Sequence, residues 1–342
     1  MKHIAIDLGG RESQVCIRNS DGTIVLEGKH PTDKLEELLK SQEPSRVIIE
    51  TSAEAFAVAD GAKRGSHEPR VVPSALSRVL GVGDRRTKTD ERDARALSEV
   101  SVRLENLPSV HIPSQTARER RSLCTAREAL VSARTQLVNS VRGYLRTQLV
   151  RITSGKTETF PRRVRQRLEA RSEGLPAMIE RLLLAVESLN EQIKAADQEL
   201  ETIAEQDEVC SRLMSMPGVG PVTAIRFVAA LDRIDRFENA HKVEAYLGLT
   251  PGENSSSERQ QRTGITKAGP PRLRWTLTQA AWSLWRTRPK DKNVLWAQEV
   301  AKRRGKGVAI VALSRKLAGI LFALWRDGTT YDSSYQLNRS EA

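Results

Sequence analysis

The stretch KHIAIDLGG, residues 2–10, has the pattern of a buried β-strand that ends on an acidic residue, Asp7, and a pair of glycines. Two further β-rich runs follow it, SQVCIRN at 13–19 and TIVLEG at 23–28, and an Asp-Gly turn pair separates them. Turn residues between short β-rich runs are typical of consecutive antiparallel strands. The sequence therefore predicts a three-strand meander at the start of the chain.

Strand and helix patterns alternate after the meander. Helical spacing is found at 31–40, 53–65 and 90–102, and strand patterns at 45–50 and 69–73. The predicted element order is βββαβαβα, which indicates an α/β domain over residues 1–110.

From residue 111 the pattern is helical only, so the predicted fold class is α/β plus all-α. Apolar residues alternate at spacings of three and four from Leu123 to Tyr144, through Ala126 and Ser140, and again from Leu175 to Ile203. Such spacing predicts a coiled-coil helical segment over 111–207. It would form either a hairpin that packs on itself or helices that pair between two copies of the chain.

Residues 208–330 predict a helical C-terminal domain, and residues 331–342 a disordered tail. MPGVGPVTAIRF, at 216–227, places two glycines before a helix and resembles the turn of helix-hairpin-helix proteins, which faces a phosphate with backbone N–H groups. Three more helices are predicted near 240–247, 273–286 and 306–325. All five tryptophans lie in this domain, and their helical spacing favours packing in the core over stacking on bases.

The charge is unevenly distributed. The net charge is +12, from 55 Lys and Arg and 43 Asp and Glu residues. Residues 111–174 have 14 basic and 5 acidic side chains and residues 211–342 have 22 and 11, whereas residues 1–110 are nearly neutral, with 17 and 18. Distributed cations of this kind indicate a long polyanion as the partner, with nucleic acid first. Solvated charge on helix faces is the alternative for either block alone.

Other classes are disfavoured by composition. The three cysteines are far apart, and the five histidines form no zinc-type spacing, so neither a disulfide framework nor a structural zinc site is expected. No run approaches the roughly 18 apolar residues that span a bilayer. We therefore expect a cytoplasmic protein with no membrane partner.

Four acidic residues are candidate metal ligands. Asp7 and Glu50 each end a predicted strand, and Asp90 and Asp93 share one face at the start of a predicted helix. Clustered carboxylates favour a hard cation such as Mg²⁺, and a pair of such ions promotes phosphoryl transfer. Taken singly, Asp90 could cap its helix and Asp93 could pair with an arginine.

The order βββαβαβα, with acids on the first strand, the fourth strand and the last helix, resembles the ribonuclease-H-like fold in its RuvC-like branch of Holliday-junction resolvases. The blocks IAIDLG, IIETSA and KTDERDARAL resemble the Asp-Glu-Asp-Asp signature of transposases of bacterial insertion-sequence family one-ten and of the related Piv-type DNA invertases. MPGVGPVTA, YLGLTPGENSSS and TGITKAGPPRLRWTLTQAAW are similar to that family's second domain. The resemblance covers nearly the whole chain.

This resemblance implies site residues. Asp7, Glu50, Asp90 and Asp93 fall on the family's metal-binding carboxylates, for Mg²⁺ or alternatively Mn²⁺. The family's essential serine, five residues after the proline of its GL-x-P motif, corresponds to Ser256 here. Ser255 and Ser257 stay open as nucleophiles, because the family has Gly or Ala where this chain has Ser257. Pro270 also departs from the family's pattern.

The resemblance further implies a recombinase that works with an element-encoded guide RNA, also called a bridge RNA, on donor and target DNA. A serine nucleophile would form a phosphoserine link with the DNA. Two duplexes must be held together, so a homodimer or homotetramer is expected, bound to the bacterial nucleoid when active. The predicted phosphate-binding residues are Arg162, Arg163, Arg165, Arg167, Arg259, Arg262, Lys267, Arg272 and Arg274.

Two other functions fit the residues. A metal-dependent junction nuclease that hydrolyses with water needs the four carboxylates alone. A non-catalytic protein that organises nucleic acid would need only the basic residues, and its carboxylates would be structural.

Overall fold

The computed structural model describes residues 1–75, 90–169, 174–253 and 262–332. The chain divides into two compact units, Met1–Pro113 and Ser114–Ala342. The predicted division at 110, 207 and 330 stays a prediction.

The strands and helices given below for the first unit, on either side of the undescribed residues 76–89, follow the predicted order. Its strands are β1 His3–Asp7, β2 Glu12–Arg18, β3 Ile24–Pro31, β4 Arg46–Glu50 and β5 Glu68–Val72. Its helices are α1 Leu35–Lys40, which follows a 3₁₀ turn at Thr32–Lys34, then α2 Ala55–Arg64 and α3 Asp90–Arg103. The prediction of a mixed α/β domain is thus confirmed.

These strands form one five-stranded sheet in the order β3-β2-β1-β4-β5. The meander strands pair antiparallel, and β4 lies parallel to both β1 and β5. Side chains alternate between the faces of a sheet. Ile6 and Ile49 therefore pack with Leu35 on one face, whereas Ala5 and Ile48 pack with Leu97 of α3 on the other.

The second unit is mostly helical. Its helices are α4 Gln115–Thr147, α5 Phe160–Glu169, α6 Ala177–Gln206, α7 Glu208–Met214, α8 Pro221–Leu231, α9 Ala240–Tyr246, α10 Pro271–Thr287, α11 Lys292–Arg304 and α12 Lys306–Asp327. Two short strands, β6 Pro251–Glu253 and β7 Arg262–Ile265, form an antiparallel hairpin. Neither this hairpin nor α11 was predicted from the sequence.

The long helices α4 and α6 form an antiparallel pair within one chain, as three contacts along their length show. The contacts join Arg120 to Asp207 at 2.6 Å, Arg127 to Asp197 at 2.5 Å and Arg134 to Asn190 at 3.0 Å. The self-packed hairpin is therefore present in the single chain. Coiled-coil pairing between chains stays a prediction.

The heptad pattern predicted for α4 is wrong in detail. Ala126 and Ser140 are exposed, and the helix instead buries Cys124, Val138 and Val141. The reason is a second neighbour: α4 packs against α8 as well as α6, and Cys124 belongs to the large core around α8. A helix whose apolar residues pack against two different helices does not keep the regular spacing of a two-stranded coiled coil.

Replacing Leu183 on α6 with alanine is expected to lower the free energy of unfolding by about 2–5 kcal/mol. Leu183 is fully buried among Val186 and the apolar side chains of α4 and α5. Its neighbour Leu184 is 54% exposed, so Leu184→Ala is the matched control and should change stability by less than about 0.5 kcal/mol. Urea denaturation followed by circular dichroism measures both. Equal losses in the two variants would contradict the described packing.

Helix α12 forms the centre of the core of the second unit. Within the residues that the structure describes, it is the one helix long and apolar enough to cross a membrane. Its residues Leu313, Leu317 and Phe322 are buried against the neighbouring helices, which accounts for its apolar composition.

The prediction that the tryptophans pack in the core holds for three of them. Trp282, Trp285 and Trp325 pack against the core while partly buried. Trp275 and Trp296 are 58% and 41% exposed, so for these two the prediction is wrong. They lie on the outer faces of α10 and α11, which helical spacing alone does not distinguish from the inner faces.

Candidate active site and nucleic-acid interface

Two of the predicted carboxylates end neighbouring strands. Asp7 is the last residue of β1 and Glu50 the last of β4. These strands are parallel, and the residues just before the acids, Ile6 and Ile49, lie opposite each other. Because side chains alternate along a strand, both acids belong to the face that packs on α3. Both are partly buried.

Helix α3 runs antiparallel to β1 across that face. The Nδ1 atom of His3, at the start of β1, lies 2.7 Å from Oγ of Ser101, near the end of α3. A helix rises about 1.5 Å per residue and a strand about 3.3 Å. The eight residues from Ser101 back to Asp93 therefore span about 12 Å, close to the roughly 13 Å from His3 to Asp7.

Asp93 consequently lies at the level of Asp7, one helical turn before Leu97, which packs on the sheet. It is 7% exposed. Asp90 begins α3, one turn further out, and its side chain lies outside the described residues. The topology thus places Asp7, Glu50 and Asp93 on one face of the sheet, toward the ends of β1 and β4. Their convergence on one metal ion stays a prediction.

An all-oxygen set of this kind suits a hard divalent cation. Considering only the side chains that the structure describes, no three His, Cys, Asp or Glu residues stand close enough to hold a metal ion by themselves. The carboxylate of Asp90 is not among those side chains. The oxygen donors present are of the kind that Mg²⁺ prefers, and a Mg²⁺ site at this edge stays a prediction.

Gln14 is a further polar residue at this edge that the sequence analysis missed. It lies opposite Asp7 in the β1–β2 register and is 6% exposed. Alternation assigns it to the same face as Asp7, so its amide is a neighbour of that carboxylate. Gln14 also lines an open cavity of about 620 Å³ with Arg11, Glu12 and Lys29. Gln14 directly precedes the apolar run of β2, and this run gives no signal of its own for a neighbour of Asp7.

The candidate nucleophile lies in the connection between β6 and β7. Ser255, Ser256, Ser257 and Arg259 all fall outside the described residues. The base of this connection is described: Pro251 pairs with Ile265 and Glu253 with Arg262. The connection that contains these residues therefore starts and ends in a short antiparallel hairpin.

The residues after β7 pack closely on the end of α9. The backbone N–H of Thr266 donates to the carbonyl of Thr250 at 2.9 Å, and that of Lys267 donates to Gly248 at 3.1 Å. Gly269 has φ +66°, and a Cβ at this position would overlap the carbonyl oxygen of Tyr246. Only glycine fits such a position.

Replacing Gly269 with alanine is expected to lower the free energy of unfolding by about 2–4 kcal/mol, because the new methyl group meets backbone and the left-handed conformation is strained. Gly264 is the matched control, since a Cβ there has no atom within 4 Å. Gly264→Ala should leave stability nearly unchanged. Urea midpoints of the two variants measure the difference, and a stable Gly269→Ala protein would contradict the described packing.

The glycine turn predicted to face a phosphate has a packing role here. The turn joins α7 and α8, and Gly218 has φ +88°. A Cβ on Gly218 would lie 2.7 Å from the carbonyl oxygen of Ala280 and 3.0 Å from the backbone nitrogen of Leu284, both on α10. Close packing on α10 thus accounts for this glycine. Its contact with phosphate stays a prediction.

Several predicted phosphate-binding arginines have partners within the chain. Arg165 forms ion pairs with Glu180 at 2.7 Å and Glu187 at 2.6 Å, and the hydrogen bonds that its guanidinium donates to Glu187 and Glu180 raise its pKa. Arg163 donates to the carbonyls of Thr153 and Lys156. These two arginines stabilise the end of the α4–α6 hairpin.

Two other predicted arginines are engaged near the β6–β7 hairpin. Arg272 pairs with Glu128. Nη1 of Arg274 donates to the carbonyls of Ala268 at 2.5 Å and Leu247 at 3.1 Å, so Arg274 joins the turn after β7 to the end of α9. Of the remaining predicted residues, Arg162, Arg167 and Lys267 are exposed, and the side chain of Arg262 lies outside the described residues.

Comparison with known proteins gives two matching family models. Residues 4–149 match a transposase model named for DEDD transposases of IS110, and residues 210–295 match the model described as transposase IS116/IS110/IS902 family. The transposase for insertion sequence element IS1111A of Coxiella burnetii is 33% identical over 71% of this chain and 68% of its own length. The chain belongs to the IS110 family of transposases.

Other relatives cover more of the chain. A probable family 20 transposase of Pseudomonas aeruginosa is 26% identical over 97% of this chain and 98% of its own length. The putative transposase y4rJ of Sinorhizobium fredii is 30% identical over 83% of this chain and 76% of its own length. The predicted resemblance and the prediction of a transposase enzyme are confirmed.

Both candidate sites of this IS110-family transposase fall within the matched residues. Asp7, Glu50, Asp90 and Asp93 lie in the part that matches the DEDD transposase model. The β6–β7 hairpin and Arg274 lie in the part that matches the second model. The DEDD domain implies the use of a divalent metal ion.

Proposed function

We propose that this transposase cuts and rejoins donor and target DNA by phosphoryl transfer, at sites chosen by an element-encoded guide RNA. The proposal is supported by Asp7 and Glu50, which end neighbouring parallel strands, and by the buried Asp93 on the helix that packs on the same sheet face, all within the DEDD match. Phosphoryl transfer depends on positive charge held next to the reacting phosphate, and acidic side chains that bind metal ions supply it.

Asp7, Glu50, Asp90 and Asp93 would hold Mg²⁺, or Mn²⁺ in its place. The ion would neutralise charge that develops on the phosphate oxygens. The carboxylates would hold the metal ion at the edge of a rigid sheet, because Asp7 and Glu50 are the last residues of buried strands. Gln14 beside Asp7 would orient it through its amide.

Ser256 would be the nucleophile, on the segment that connects β6 to β7. Its hydroxyl would lose its proton as the oxygen bonds to the phosphorus and the bridging P–O bond of the DNA breaks, and the released DNA oxygen would take up a proton to become a hydroxyl. The phosphoserine link keeps the bond energy that rejoining needs. The β6–β7 hairpin supports this role, since paired strands and the turn after Gly248 fix both ends of the segment.

Binding of DNA and guide RNA would be spread over basic side chains. The exposed Arg162, Arg167 and Lys267 are better placed for phosphates than Arg163, Arg165, Arg272 and Arg274, which have partners in the chain. We also propose that the protein acts in the cytoplasm as a homodimer or homotetramer, because recombination joins two duplexes.

A junction nuclease that hydrolyses with water is the second candidate. One observation favours it: Asp7, Glu50, Asp90 and Asp93, which we call the carboxylate edge, all belong to the first unit, Met1–Pro113. Such an edge could serve a water nucleophile as well as a serine.

The test incubates the protein with Mg²⁺, its co-purifying nucleic acid and DNA that carries the ends of the element. The products are then separated under denaturing conditions. We expect a DNA strand that migrates with the protein and needs divalent metal for its formation. Cleaved DNA without attached protein would instead support the water nuclease, and intact DNA at every metal concentration would contradict both.

A further inference from the structure

The junction between α11 and α12 is a strongly basic surface that neither candidate site includes. Lys302, Arg303 and Arg304 end α11, and Lys306 begins α12; all four are exposed. We call these four side chains the basic turn. Gly305 has φ +83°, which allows the chain to reverse between the two helices in a single residue. The basic turn lies outside the residues that the two family models match.

The basic turn has little counter-charge. From 286 to 306 the sequence has eight Lys and Arg residues and two acids, Asp291 and Glu299. Asp291 accepts hydrogen bonds from the backbone of Asn293 at 2.8 Å and from the hydroxyl of Tyr331 at 3.0 Å. Glu299 pairs with Lys302 at 2.6 Å.

Three cations of the turn are thus left without an acidic partner. Arg303, Arg304 and Lys306 form no ion pair with any residue that the structure describes. Like charges so close together repel each other, and surface ion pairs elsewhere in this chain relieve such repulsion. A cluster of exposed cations without acidic partners favours an external anion.

Aromatic rings fix one side of this surface. The Nζ atom of Lys306 lies 5.0 Å from the ring centre of Trp282 and 5.5 Å from that of Trp285. Cation–π contacts of this kind order a flexible side chain before a ligand arrives. Lys306 is therefore held at the surface beside two indole rings of α10 while Arg303 and Arg304 project from α11.

We propose that the basic turn binds the sugar–phosphate backbone of a nucleic acid, as a contact surface separate from the carboxylate edge. The proposal rests on the proposed function, which supplies DNA and guide RNA as ligands. The guanidinium groups of Arg303 and Arg304 suit phosphate oxygens because each presents several donors in one plane. Duplex DNA and structured RNA offer the same phosphate chemistry, so the experiment uses both.

The test compares the triple variant Arg303→Gln, Arg304→Gln, Lys306→Gln with the wild type. A matched control removes three exposed cations elsewhere in the second unit, in the variant Arg181→Gln, Lys194→Gln, Lys242→Gln. Binding of a short duplex DNA and of a hairpin RNA is measured by fluorescence anisotropy over a range of salt concentrations. Circular dichroism checks that both variants are folded.

We expect the basic-turn variant to bind about tenfold or more weakly at moderate salt. Its slope of log affinity against log salt should be smaller by about 2–3 than that of the wild type and the control, since each lost phosphate contact removes about 0.9 for duplex DNA. Weaker binding of the DNA alone, of the RNA alone or of both would show which nucleic acid the basic turn contacts. Equal slopes in the two variants for both probes would overturn the proposal. A wild type without salt-dependent binding would contradict the proposed function itself.

Discussion

Replacing Asp7 with alanine is expected to lower the rate of DNA cleavage by at least about a thousandfold, which corresponds to about 4 kcal/mol of transition-state stabilisation. Asp7 ends β1 beside Glu50 and at the level of Asp93. Without it, the carboxylate edge loses a ligand for the divalent ion. Salt-dependent affinity for DNA should persist, because the basic side chains are unchanged. Single-turnover cleavage and anisotropy measure the two quantities.

Glu43→Ala is the matched control, since Glu43 is an exposed acid of the same unit that precedes β4, toward the His3 end of β1 and away from Asp7. It should cleave like the wild type. Asp7→Asn keeps the shape of the side chain but removes its charge, so it should be nearly as inactive as Asp7→Ala. If both Asp7 variants cleave normally, the carboxylates are structural and the metal assignment is wrong.

The fold of the first unit was predictable because its signals are local. Each buried strand, such as β4 at Arg46–Glu50, is a short apolar run bounded by turn residues, and α3 has a clear helical period. The shared edge of Asp7 and Glu50 followed from the same signals, since parallel neighbouring strands end at the same edge.

The second unit was less predictable because long-range contacts decide it. Which residues of α4 are buried depends on α8, which lies about a hundred residues later in the chain. Arg226 of α8 donates a hydrogen bond to the carbonyl of Cys124 on α4 at 2.9 Å. The roles of Arg165 and Arg274 depend on which carboxylates and carbonyls fold against them. A basic residue in the sequence does not distinguish a phosphate contact from an internal ion pair.

Polar residues inside regular elements were missed for a related reason. Gln14 stands in the polar first part of β2, and only the register with β1 shows that it lies opposite Asp7. The β6–β7 hairpin has three residues in one strand and four in the other, too few for an alternating pattern to be recognised. Both features become visible only when strand pairing is known.

Replacing Ser256 with alanine is expected to abolish the covalent protein–DNA product, by a factor of at least about a thousand, because no other group is proposed to bond to the phosphorus. Affinity for DNA and the dependence on divalent metal should remain, since the carboxylates lie in the first unit. The product is measured by denaturing electrophoresis after incubation with Mg²⁺ and DNA that carries the element ends.

The neighbouring serines supply the matched controls for this prediction. Ser255→Ala and Ser257→Ala make the same chemical change in the same connection between β6 and β7, so they should form the covalent product at nearly the wild-type level. Loss of the product in only one of these two would move the nucleophile to that residue. Cleavage that continues without a covalent product in all three variants and in the wild type would leave the carboxylate edge as a water-using nuclease. Loss of the product in both Ser256→Ala and Asp7→Ala, but not in the controls, would show that serine and carboxylates serve one reaction.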